Sequence, residues 1–114
     1  MSNTEPINQI DLESQMLRIC DRIEADIELL FDLSAQRAEA ESAYKYKYSR
    51  SMVEQTTKVP VASKEAIAHL RASDEYRNWK VLEGREKATQ QSLIASRARL
   101  DALRTISANV RAMT

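Results

Sequence analysis

The sequence has almost nothing with which to turn a chain: one Gly and two Pro in 114 residues. Sheets built from many short strands need such residues at every reversal, so their scarcity predicts an all-α fold of a few long helices. Cys20 is the only cysteine, which excludes an internal disulfide, and with a single His it cannot assemble a zinc site. No cofactor site is expected either. A lone thiol fits an intracellular, cytoplasmic protein. The opening MSNTEPINQI lacks the basic and apolar regions of a signal peptide, and no apolar run is long enough to span a bilayer, so no membrane association is expected. Catalysis needs a nucleophile beside its base, or paired carboxylates in a cleft, and no such set can be picked out; the chain does not read as an enzyme. Cys20 adjoins an apolar stripe and reads as a small core residue, while His69 reads as a surface neighbour of a helix start.

What the chain does have is helical periodicity. Leu12, Met16, Ile19, Ile23, Ile27, Leu30 and Leu33 recur at steps of three or four, and the pattern continues more weakly through Ala38, Tyr44, Tyr48 and Met52. A flexible segment is expected over 1–10, then a helix over 11–55 of roughly 67 Å. TTKVPVA interrupts it, because Pro60 disfavours a helical Val59, so 56–62 is the expected connection. Ser63 is a plausible N-cap for a second helix over 63–113, the two together making one helical domain, a hairpin or an open L. In that second helix Trp79, Leu82, Glu86, Thr89, Leu93, Ser96, Leu100, Leu103, Ser107 and Val110 keep the 3.5-residue spacing of a coiled coil. A further stripe, Gly84, Ala88, Ala95, Ala98 and Ala102, is small enough for another helix to approach closely. With two usable faces the chain is expected to form a homo-oligomer through Trp79, Leu82, Leu93, Leu100, Leu103 and Val110.

The net charge of zero conceals an uneven distribution. Residues 1–43 hold ten acidic and three basic side chains, net −7, and residues 44–114 hold seven acidic and fourteen basic, net +7. Such a division can pair one helix with the other, or concentrate positive field for an anionic polymer. Within AYKYKYSR, residues 43–50, helical geometry puts Tyr44 and Tyr48 on the apolar face and turns Tyr46 outward, near Lys45, Lys47 and Arg50. A ring able to stack on a base, beside cations able to meet phosphates, suits single-stranded nucleic acid. Equally, lysines and arginines can simply solvate the outside of a helix.

Ala43-Tyr44-Lys45-Tyr46-Lys47-Tyr48 resembles the A-L-K-A-R-L motif of the UvsY-like recombination mediators of tailed phages. SKEAIAHLRASDEYRNW followed by LDALRTISANVRAM is similar to that family's second segment, so the resemblance covers residues 43–113. It implies a small helical protein that binds single-stranded DNA, with Lys45 and Lys47 at the strand, and that works with a recombinase and a single-strand-binding protein in the host bacterial cytoplasm. Two other functions fit the same composition. One is a structural coiled-coil adaptor or scaffold; the other is a small inhibitor whose acidic helix occupies a nucleic-acid-binding partner.

Overall fold

The computed structural model describes residues 8–113, which are all-α: α1 spans Gln9–Glu54, α2 Val61–Arg71 and α3 Ser73–Met113. The expected flexible segment 1–10 falls outside the described residues up to position 7, whereas Gln9 and Ile10 already belong to α1. Asn8 starts that helix: its Oδ1 accepts the Ile10 backbone N–H at 2.8 Å, satisfying one of the amides that lack an intrahelical partner. Nothing then stops α1 for 46 residues. Among the described residues there is no strand, and no helix is long and apolar enough to cross a membrane.

The second helical stretch differs from expectation at two points. It begins at Val61 rather than Ser63, because Pro60, at φ −56° and ψ 146°, stands outside the helix while its carbonyl accepts the Lys64 N–H at 3.0 Å. It also breaks at Ala72. There φ −98° and ψ 17° leave the helical well, the Ala72 N–H turns to the carbonyls of Ala68 and Leu70, and the Tyr76 N–H on the Ala72 carbonyl at 2.9 Å restarts the ladder. Ala68 and Ala72 are both 0% exposed, so the methyl groups on either side of the bend are fully covered.

Two compact units form, one from the residues up to Leu29 with those from Thr89 on, the other from Leu30–Ala88. In the first, α1 and α3 run antiparallel, as shown by Gln9 Nε2 donating to Ser107 Oγ at 2.6 Å and Ser92 Oγ donating to Asp26 Oδ2 at 2.8 Å. Leu12, Ile19, Leu100 and Leu103 form its core, flanked by Met16, Cys20, Ile23 and Val110. These follow the alternating three and four spacing of a coiled-coil seam, with Ser96 and Ser107 as buried small members of the α3 row. Hydrophobic area here is modest, which makes each buried leucine count.

In the second unit the core is Leu33, Ala40 and Leu82 with Trp79 against them. The seam row of α1 here runs Leu33, Arg37, Ala40, Tyr44, Lys47, Ser51, rather than through Ala38, which is exposed. Facing it are Ala68, Ala72, Glu75, Trp79, Leu82 and Glu86. Two of the pairings are ionic: Arg37 Nε lies 3.2 Å from Glu86 Oε1, and Lys47 Nζ 3.0 Å from Glu75 Oε1. Charged groups at seam positions sacrifice apolar area and fix the register, since sliding one helix by a turn separates both pairs at once. Gln55 closes the connection by donating from Nε2 to the Lys64 carbonyl at 2.9 Å.

Candidate nucleic-acid interface

AYKYKYSR lies wholly in α1. Residues two apart on a helix point about 200° from each other, so Lys45 and Lys47 cannot share a face. Lys45 reaches back one turn to Glu41 at 2.7 Å; Lys47, at a seam position, bridges to Glu75; and Arg50 Nε meets Glu54 at 2.8 Å. Each cation of the motif is therefore held by a carboxylate. Hydrogen bonds from Lys45 and Lys47 hold the Glu41 and Glu75 carboxyls below the usual range, and the Glu54 hydrogen bond raises Arg50. Tyr46 is 68% exposed and lies beside Arg50, which it helps to raise.

The tyrosines beside it build something larger. Tyr44 stacks near Tyr48, Tyr76 and Trp79 with ring centroids 5.9, 5.3 and 5.5 Å away, and its hydroxyl lies 2.9 Å from His69 Nδ1. Tyr76 adds edge contacts to His69 at 4.9 Å and Trp79 at 5.8 Å. Burial, then the neighbouring Tyr48 and Tyr76, push the Tyr44 phenol up. Over this cluster lies Lys80, its Nζ 4.2 Å from the Trp79 ring centroid and 5.5 Å from that of Tyr76, a cation–π arrangement on two rings. Along the outer side of α3 a groove of about 510 Å³ is lined by Ser73, Tyr76, Arg77, Lys80 and Val81. Besides these rings Lys80 has a 3.5 Å ion pair with Glu83, and Arg77 has no ion-pair partner among the described residues.

No family model, curated protein or solved structure matches the chain. Its chemistry must be argued from its own side chains. Among the described residues no group of three His, Cys, Asp or Glu side chains is placed to hold a metal ion. Cys20 is half-buried against the Leu12 and Ile19 cluster.

Of the six residues expected at a subunit interface, Leu82, Leu93, Leu100 and Leu103 are buried within the chain, while Trp79 and Val110 pack half-buried against the two cores. The stripe Gly84, Ala88, Ala95, Ala98 and Ala102 is exposed, and a Cβ added at Gly84 meets nothing within 4 Å. Of the second helix's candidate surfaces, the small-residue face is the one left open. The aromatic cluster was partly visible in sequence, since His69, Tyr76 and Trp79 follow at steps of seven and three on one helical face; that Tyr44 joins them depends on the register of α1.

The paired carboxylates give a pH dependence of definite sign. Glu41 and Glu75 have folded pKa values below their unfolded ones, so the unfolded chain binds more protons in the window between the two. Their contribution is complete above the unfolded value and fades as pH falls through the folded one. Urea midpoints measured from about pH 7 down to about pH 3 are expected to fall more gently for Glu75→Gln than for the native chain. Parallel curves would show that the Lys47 ion pair contributes nothing to folding.

Proposed function

We propose that the protein binds single-stranded DNA and acts as a recombination accessory factor, a mediator that helps a recombinase occupy a strand in the presence of a single-strand-binding protein. The observation that carries this is the α3 groove, where the Tyr76 ring is accompanied by two cations, Arg77 and Lys80, of which Arg77 has no carboxylate partner among the described residues. Rings meet bases of any sequence and cations meet phosphates, which is the chemistry of a strand held without base readout. In this reading Tyr46 offers a second stacking ring, and Lys45, Lys47 and Arg50 join by exchanging carboxylate for phosphate. For Lys45 and Arg50 such exchange costs little, because exposed ion pairs are worth under about 1 kcal/mol, whereas Lys47 also has to leave its seam partner Glu75. Self-association through the exposed small-residue stripe would multiply a modest patch by avidity. The recombinase and the single-strand-binding protein enter through the resemblance of residues 43–113 to the UvsY-like mediators.

A protein-only adaptor is the second reading. It is favoured by one observation, that every cation of the AYKYKYSR motif is already neutralised within the chain. Fluorescence anisotropy of a labelled single-stranded oligonucleotide across a salt series separates the two. Arg77→Ala/Lys80→Ala is expected to weaken binding tenfold or more, about ten being the factor for 1.4 kcal/mol. It should also flatten the log–log salt slope by about 1.4, roughly 0.7 for each phosphate no longer neutralised. Lys45→Ala/Lys47→Ala should weaken binding less, since those cations give up internal partners to bind. An absence of binding at low salt would leave the adaptor.

A further inference from the structure

In the first unit, three arginines line one groove. Arg18 and Arg22 of α1 and Arg99 of α3 line a groove of about 540 Å³ together with Gln15 and Ile19. Two of the three basic residues in the acidic stretch 1–43 are therefore placed here, one turn apart, where like charges repel. Neither Arg22 nor Arg99 has an ion-pair partner among the described residues. Asp26, one turn beyond Arg22, accepts the Ser92 hydroxyl instead at 2.8 Å. Arg18 makes only a long 3.5 Å contact to the Ser14 carbonyl.

We propose that Arg18, Arg22 and Arg99 form an oxyanion site that takes a compact phosphate group, either free or at the end of a strand. Planar guanidinium forks match phosphate oxygens two at a time, and three from two helices can surround one group. Gln15 adds an amide donor, and Ile19 an apolar floor. The surrounding helix selects for compactness. Asp11, Glu13, Asp21, Glu24 and Glu28 are exposed along α1, and their repulsion rises with every phosphate laid along it, so an extended backbone is disfavoured where a single group is not. The site shares no lining residue with the Tyr76, Arg77 and Lys80 groove and stands or falls without it.

The test follows the arginine side-chain Nε–Hε NMR resonances of the full chain during titration. The probes are inorganic pyrophosphate, a 5′-phosphorylated single-stranded oligonucleotide and the same oligonucleotide with a 5′-hydroxyl. Saturable shifts of Arg18, Arg22 and Arg99 with pyrophosphate support a site for free phosphate. Shifts with the phosphorylated oligonucleotide alone support a strand-end site. In Arg22→Gln/Arg99→Gln, whose positions are exposed so that folding is retained, the dissociation constant of the responding probe is expected to rise about tenfold or more. No shift with any probe, or a response unaltered in the variant, overturns the proposal; an equal response to both oligonucleotides overturns it in favour of a backbone contact. Because pyrophosphate does not depend on Tyr76, Arg77 or Lys80, failure here and failure of strand binding at α3 are read separately.

Discussion

Leu100→Ala is expected to lower the stability of the protein by about 2–4 kcal/mol, the usual cost of deleting a core leucine. Leu100 is 7% exposed and belongs to a cluster with only three other buried side chains, Leu12, Ile19 and Leu103. With so few members, the apolar packing it contributes cannot be recovered from elsewhere in the cluster. Met16 and Cys20 flank it and can follow part of the way into the space, which keeps the cost from the top of the range. Small domains are stable by only about 5–15 kcal/mol, so the loss is a large share of the total. Urea denaturation followed by far-ultraviolet circular dichroism measures it, with Ile94→Ala as the control: Ile94 is exposed on the same helix, and its removal should change stability by less than about 0.5 kcal/mol. Equal effects at the two positions would mean that Leu100 is not in a core.

The near absence of Gly and Pro announced long helices, and the starts of α1 and α2 fall within two residues of Asp11 and Ser63. The row Leu82, Leu93, Leu100, Leu103 was legible too, but spacing alone does not say whether another copy or the same chain covers it, since both place leucines every three or four residues. In α1, apolar spacing leads from Leu33 to Ala38, whereas the seam passes through Arg37 and Ala40. Arginine is an admissible seam residue only when a partner faces it, and Glu86 is 49 positions away, out of reach of any local pattern. The break at Ala72 had only a weak marker, the Ser73, Asp74 and Glu75 that suit a helix start, since alanine is the best helix former and neither Gly nor Pro stands beside it. Likewise the partners of Lys45 and Arg50, one turn away at Glu41 and Glu54, follow from spacing, but that of Lys47 at Glu75 requires the fold.

Glu86→Arg is expected to destabilise the protein by about 2–4 kcal/mol, and the further change Arg37→Glu to recover most of that. The native pair sits at a seam position, with side chains 28% and 13% exposed, so neither charge can swing fully into water when its partner is removed. Reversing Glu86 sets two guanidinium groups against each other in that setting. Arg37 retains Glu41, one turn along its own helix at 3.1 Å, which softens the repulsion and keeps the effect below that of a wholly buried pair. Swapping both charges restores attraction across the seam, although it also turns Glu41 from a partner into a like-charged neighbour, so recovery should stop about 0.5 kcal/mol short. Arg37→Leu/Glu86→Leu separates strength from specificity. An apolar pair of similar volume should leave stability unchanged or raise it, while removing one of the two ionic pairs that distinguish the native register from its one-turn neighbours. The amide NMR spectrum of that variant is then expected to show more than one set of resonances for residues 30–54. If Glu86→Arg instead costs no more than reversal of the exposed Glu54 partner of Arg50, the seam charges are as weak as surface pairs and the register is set by Leu33, Ala40 and Leu82 alone.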